Sequence, residues 1–497
     1  MPPVAGAGKR HLSVTKTRHC NRGKASRRGF YMTRIPWPEE ALPPCIFARR
    51  EPARAPDGVR RMASVQPAVR ALLPIWCVAL ATGVLSCDGM PARGFSNPGI
   101  SKAIKDAIAA NPHLGSDGVT AKNLQTVTAL DLTVNAPGDM AGIEHLKGLR
   151  ELWLRGDVSD LRPLRNLVRL RQLFVHFAPV KDLGPLKTLS DLEKLSLKGC
   201  ANISDIGPLA QMPRLQFLDL CGTSVRDLSP IKSLVRMQTL YVSSPGISDL
   251  SPLAPLASLE ELYVAGENIR DVDSIARLQN LRILTLSGIK INELRSLQRL
   301  SGLTQLRLGD VPVADLSALT GLGGLRYLDI HGTKVSSLEP VSRLKRLRVL
   351  VADGTRVEDL TPLSDLDGLE ELYLNATHVK NLNGLGALPR LQTINLACTE
   401  VVDLAPLAKL TSLTDLDLSF TAVTDIEALE GLSALRWLSL AHTTISDITP
   451  LTRLPNLAWL DLSYTRVTDV LPLRKCKALD HVSLEGTPAA EAGKAIP

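Results

Sequence analysis

The chain has 497 residues with 58 Lys and Arg against 50 Asp and Glu, and only 4% of it is aromatic, so any large core must be built from Leu, Ile and Val. The excess positive charge is confined to the beginning: residues 1–87 hold 15 of the basic and 4 of the acidic residues, leaving 43 against 46 from residue 88 onward. A slightly acidic folding portion excludes the broad basic surface that a polyanion needs, and no nucleic-acid partner is expected.

Residues 1–61 are rich in Arg and Pro and carry no apolar period. They read as a disordered basic leader or as sequence upstream of the true translation start. Residues 62–87 read as a signal peptide, with Arg70 supplying charge before the apolar stretch from Ala71 to Leu85, which is too short for a comfortable membrane span. The segment closes on Val84-Leu85-Ser86-Cys87, which resembles a bacterial lipobox with Leu85 where a small residue is more usual. On that reading Cys87 is lipidated and begins the mature chain; on the alternative it is an ordinary cysteine after a conventional cleavage site. Residues 88–96 are a linker. Residues 97–126 are predicted as a helical N-terminal cap: Asn97 and Pro98 start a helix, Ile100, Ile104 and Ile108 recur every four residues, Asn111-Pro112 stops it, and Thr120 opens a second helix. A cover is expected there because the first turn of a repeat array has nothing stacked on its apolar face.

From residue 127 to 487 one pattern, L-x-x-L-x-L, begins 17 times, first at Val127, Leu149, Leu170, Leu192 and Leu215, then every 22 residues to Leu479. Residues 488–497 form a C-terminal tail. A strict period of this length predicts a single solenoid. The L-x-L alternation makes a short strand with leucines inward. The following V-x-D-L-x-P-L, with apolar residues three apart as at Val401, Leu404, Leu407 and Leu410, suits a 3-10 turn better than a long α-helix. The expected fold class is therefore an α/β solenoid, a curved horseshoe with a parallel sheet on its concave side and short 3-10 or helical turns on its convex side. At a strand spacing of about 4.8 Å the sheet should run on the order of 80 Å.

Two polar residues repeat with the leucines. Asp160, Asp182, Asp205, Asp227, Asp249, Asp271, Asp315, Asp359, Asp403, Asp425, Asp447 and Asp469 precede the second apolar pair, with Ser337 and Asn381 in place of Asp at two turns and Glu293 a poor fit. A carboxylate row could suggest metal or acid-base chemistry, but a side-chain oxygen there can cap free N–H groups of the turn. Thr occupies the ninth position at Thr223 and in every turn from Thr333 to Thr487, where its hydroxyl can bond the backbone as the chain leaves the strand.

These residues resemble the internalin-type leucine-rich-repeat proteins, over residues 97–487, with a looser likeness to the phosphatase-regulating 22-residue repeat proteins of eukaryotes. The most specific parts are the cap (Ser101 to Ile108, then Thr128 to Leu132) and the entry motif from Gly142 to Leu149. Thr mostly replaces the family's ninth-position Asn, and no immunoglobulin-like domain or wall-sorting sequence follows the repeats. The resemblance implies a curved protein-recognition scaffold and carries over no partner.

The sequence contains no H-E-x-x-H, G-x-S-x-G, phosphate-loop or paired C-x-x-C motif, the repeats leave no room for a catalytic domain, and neither an enzyme nor a cofactor is expected. Cys200 and Cys221 lie in adjacent turns and could pair, or serve with Cys398 and Cys476 as free thiols. Asp329, His331, Asp353 and Asn375 point outward from consecutive strands and could gather a divalent cation or form a hydrated polar patch; no metal site is assigned. Asn202 and Asn375 lie in glycosylation sequons.

Twelve aromatic residues follow Val127, and none takes a leucine position. Trp153, Phe174, Phe217, Tyr241, Tyr263, Tyr327, Tyr373, Trp437 and Trp459 stand at the outward third or fifth position of a strand, and Phe177, Phe420 and Tyr464 just after one. Cross-strand packing would explain them in part. Charge is sorted along the same face, however: Arg155, His176, Lys194 and Lys198 come early, whereas Asp219, Glu261, Asp329, Asp353, Glu371, Asp415, Asp417, Asp461 and Glu485 follow against Arg307 alone. The expected ligand surface is thus the concave face, taking a protein, peptide or glycan. The expected setting is the cell envelope, as a monomeric membrane-anchored lipoprotein or a secreted protein. An intracellular regulatory scaffold is the alternative, and the apolar segment before Cys87 argues against it.

Overall fold

The structure, a computed structural model, describes residues 124–135 and 140–492. The basic leader, the signal segment with Cys87, the linker and the cap up to residue 123 lie outside the described residues. Leu124 alone retains the end of the second predicted helix, and it is buried against the first strand's core.

Seventeen strands, from Ala129–Val134 to His481–Ser483, form one parallel sheet in which each pairs with the next. The register shift equals the repeat length, so equivalent positions stack: Leu328 pairs with Leu306 behind it and Leu350 ahead. Identical stacking makes the first, fourth and sixth positions three continuous leucine columns. Leu413, Leu416 and Leu418 are fully buried, as are most of their counterparts up to the last turn, where Leu479, Val482 and Leu484 are only partly covered. Truncating one such leucine to alanine typically costs 2–5 kcal/mol, because the stacked neighbours cannot collapse into the gap.

Among the described residues, fifteen of the sixteen connections return through a short 3-10 turn, such as Ala405–Lys409. The Asp row explains why they start where they do. In every turn that has it, the carboxylate accepts the N–H two residues on, as Asp403 does from Ala405 at 2.9 Å and Asp447 from Thr449 at 2.8 Å. Ser337 and Asn381 do the same, whereas Glu293 instead meets Arg295 at 3.1 Å. The connection from Tyr373 to Thr393 lacks a 3-10 helix. Gly384 stands there where most turns have Pro, and its φ of 95° is one that proline's ring forbids.

The ninth-position threonines form a second structural ladder. Each hydroxyl donates to the carbonyl three residues back, from Thr223 on Leu220 to Thr487 on Leu484. The preceding eighth residue is left-handed in most turns. Glycine fills it at Gly199, Gly222, Gly332, Gly354 and Gly486, but Phe420, His442 and Tyr464 hold φ of 57–58° there. A final α-helix, Pro488–Glu491, is capped by Thr487 and buries Ala489 over the last core leucines.

Candidate functional site

Outward-facing and exposed are different properties on this sheet. Tyr263, Asp329 and Tyr373 leave the strands on the outer face yet expose only 4%, 7% and 6%, and Asp219 and Arg307 are buried too. Parallel strands stand about 4.8 Å apart, less than the length of a Tyr or Arg side chain, so each fifth-position group lies over its neighbour's. Asp and Asn at this position also turn back on their own strand: Asp219, Asp329, Asn395, Asp417 and Asp461 each accept the N–H two residues on through Oδ1, at 2.8–3.0 Å.

Three groups form along the face. Near the beginning, Trp153 stacks on Phe174 at 5.2 Å, and His176 meets Phe174 edge-on while its Nε2 lies 2.9 Å from Ser196 Oγ. Burial, then Lys198 and Arg155, holds the His176 imidazole below its usual pKa, which favours its neutral form. In the middle, Phe217, Tyr241 and Tyr263 pack edge to face, and the Tyr241 hydroxyl donates to Glu261 at 2.7 Å. Arg307 then lies 4.5 Å from the Tyr327 ring centre. Burial pushes the Tyr327 hydroxyl up to about 12.

The polar patch beyond Tyr327 is knitted to the protein. His331 Nδ1 lies 2.7 Å from Asp329 Oδ1, a bond that raises its pKa, while Asp353 Oδ1 accepts the Asn375 N–H at 2.7 Å. Asp353 is pushed up to about 6, first by burial and then by the nearby Asp329 charge, with His331 opposing. Among the described residues no group of three or more His, Cys, Asp or Glu is placed to hold a metal. Cys200 is a free, buried thiol donating to the Val175 carbonyl at 3.2 Å, so it is not paired with Cys221; burial raises its pKa to about 11.

The third group, near the end of the array, is the most ordered. Trp437, Trp459 and the following His481 stack at 4.7 and 5.5 Å with nearly parallel planes. Just past the strands, in turns that begin one repeat earlier, Phe420, His442 and Tyr464 stack at 4.1 and 4.4 Å. Phe420 and Tyr464 are 41% and 47% exposed, and Tyr464 donates to Glu485 at 2.6 Å. Between the two ladders lie Asp417, Ser439, Asp461 and Ser483 in one row and Ser419, Ala441 and Ser463 in the next. Sequence alternation finds the Trp ladder. It misses the second ladder, whose only sequence trace is the 22-residue spacing of Phe420, His442 and Tyr464 at a position that elsewhere favours glycine. The Trp153 and Trp459 groups stay apart, roughly 65 Å along the sheet at the usual strand spacing.

No protein-family model matches the sequence. Superposition gives the fold directly. A leucine-rich-repeat protein of Leptospira interrogans matches with a TM-score of 0.62 at 21% identity, over 68% of this chain and 90% of that one. The chain is a leucine-rich-repeat solenoid. The functional domain of InlJ from Listeria monocytogenes, an internalin described as including a cysteine ladder, matches at 0.54 and 20% identity over 77% of each chain. TLR13 in complex with ssRNA13 matches at 0.57 and 20% identity, over 74% of this chain and 59% of that one. By sequence, leucine-rich-repeat-containing protein 56 of Mus musculus is 38% identical over 81 residues, and the chain spans 14% of its length. Likenesses at this level establish the leucine-rich-repeat fold; the ligands of those proteins remain theirs. No helix among the described residues is long and apolar enough to cross a membrane.

Proposed function

We propose that this leucine-rich-repeat protein is an exported binding protein, held at a membrane through lipid on Cys87, which takes a protein or peptide partner on its strand-bearing face. The observation that carries the reading is the placement of the aromatic residues. None is used in the leucine core, and those of the last turns gather into two parallel ladders whose edges are open. Large aromatic groups that the core does not need are what interfaces use as anchors. The ladders favour a peptide over a glycan: their rings are stacked face on face, leaving edges, whereas a sugar packs on a free ring face. The residues Trp153, Phe174, Phe217, Tyr241, Tyr327, Asp353, Asp415, Asp417, Trp437, Trp459 and Asp461 form the contact surface, with Tyr263, Asp329 and Tyr373 as its buried support.

The test compares proteins captured from extracts by wild type, by Trp437→Ala plus Trp459→Ala, and by Lys345→Ala plus Arg346→Ala off the sheet. The Trp pair should weaken capture by about 2 kcal/mol or more, close to thirtyfold, with unchanged circular dichroism. Binding lost only in the off-sheet variant would refute the site.

A further inference from the structure

The floor between the two ladders has one unusual residue. Ser439 is 5% exposed, and its hydroxyl, the part that solvent reaches, has no hydrogen-bond partner among the described residues. Other fifth-position serines are engaged: Ser196 donates to Asp219 at 3.2 Å, and Ser483 lies 2.6 Å from Ser463. Tyr, Arg or Asp fills the position in many turns, so a serine here leaves a notch. Asp417 and Asp461 pair with Ser439 from the strands on either side. Each commits Oδ1 to its own strand, to Ser419 and Ser463 respectively, and leaves Oδ2 uncommitted among the described residues. No Lys or Arg occupies the third, fifth, seventh or eighth position from Asp415 to Gly486, where Asp415 and Glu485 add further negative charge. Burial raises the Asp417 pKa and the Asp461 charge adds to the effect, as expected of carboxylates facing a gap with no cation in it.

We infer that the notch over Ser439 receives one cationic side chain, a guanidinium in preference to an ammonium, from an extended peptide partner. The inference rests on the strand-bearing face being the binding face. Asp417 and Asp461 are two strand spacings apart, about 10 Å, so a cation above Ser439 sits about 5 Å from each. Among the described residues no third His, Cys, Asp or Glu joins the two carboxylates in a group placed to hold a metal, and a divalent ion such as Ca²⁺ needs about six oxygens or more. A planar guanidinium has five donors in a fork, so it can donate to the serine hydroxyl and to one free carboxylate oxygen while the second carboxylate attracts its charge from the other side, with its alkyl stem between the edges of Trp437 and His442.

The full-length protein is titrated calorimetrically with nona-arginine, nona-lysine and nona-citrulline peptides in about 50 mM salt, where exposed charges are only partly screened. Nona-arginine should bind most tightly, nona-lysine less so, and nona-citrulline not at all. Asp417→Asn plus Asp461→Asn should weaken nona-arginine by at least about tenfold; asparagine keeps the Oδ1 bond, as Asn395 shows with the Ala397 N–H at 2.9 Å. Ser439→Val, which fills the notch as Val351 fills the same position at 3% exposure, should weaken it comparably with no change of charge. The exposed off-sheet pair Asp365→Asn plus Asp367→Asn controls for general attraction and should leave affinity unchanged. Unaltered affinity in either notch variant, or equal binding of nona-citrulline, overturns the inference. If the captured partner is lost on removing Trp437 and Trp459 but kept in the Asn pair, the face is right and the notch wrong; if both keep it, the face itself is wrong.

Discussion

Asp353→Asn should make the protein more stable at neutral pH and flatten part of its pH dependence. The wild-type carboxyl is pushed up to about 6 by burial, against an ordinary value of 3.8 that it regains on unfolding. A folded-state pKa above the unfolded one gives stability that is fully present below pH 3.8 and is lost as pH rises through 6. Two units correspond to about 3 kcal/mol; residual solvent contact reduces the expected loss to roughly 1–3 kcal/mol. Asparagine cannot charge and keeps the oxygen that accepts the Asn375 N–H at 2.7 Å. His331, whose pKa is raised chiefly by its bond to Asp329, loses stabilisation in the same direction as pH rises; the variant keeps that bond and removes only the Asp353 charge, the smallest of the causes that raise it, so the His331 contribution changes little between the two proteins. Urea unfolding followed by circular dichroism from pH 4 to 8 gives that difference directly. The two proteins should coincide near pH 4, and the variant should be ahead by roughly 1–3 kcal/mol at pH 7.5. Parallel curves, or a less stable variant at pH 7.5, would show that folding does not raise the pKa of this carboxyl.

The Asp row should matter to stability and not to binding. Asp403→Ala removes the acceptor for the Ala405 N–H and should cost about 0.5–2 kcal/mol in urea unfolding, with partner capture unchanged. A normally folded variant that no longer binds would contradict that role. Cys87→Ala should move the protein from the membrane fraction to the soluble one, and mass spectrometry should find acyl chains on Cys87 of wild type. An unmodified N-terminus elsewhere would remove the anchor from the proposal.

The fold was legible because it is written as a period. Stacked turns need the same residue type at the same place, so Leu413, Leu435 and Leu457 announce the core, and Asp425 and Thr443 announce the turns around it. Even the misfit at Glu293 is visible, since its longer side chain reaches Arg295 and not the backbone. The site was legible only in part. Alternation says which way Tyr263, Asp329 and Tyr373 leave the strand, but their burial depends on what stands one turn away in space, 22 residues off in sequence. The Phe420 ladder stayed hidden for a different reason: the left-handed backbone at the eighth position is set by the turn, and aromatic residues there run against local preference. Ser439 carries no signal alone and becomes a notch only between Asp417 and Asp461.

The constant register has a consequence for how such a surface changes. Every strand residue meets its own counterpart one turn away, so the backbone does not distinguish one turn from another. Removing the 22 residues from Leu413 through Ala434 would join Leu391's turn to Trp437's with every leucine column unbroken. It would also delete Asp417 and Phe420 and bring Asn395 beside Ser439. The array behaves as a line of type, in which whole characters can be dropped or exchanged without resetting the page, and its recognition surface can be rewritten while its core is left alone.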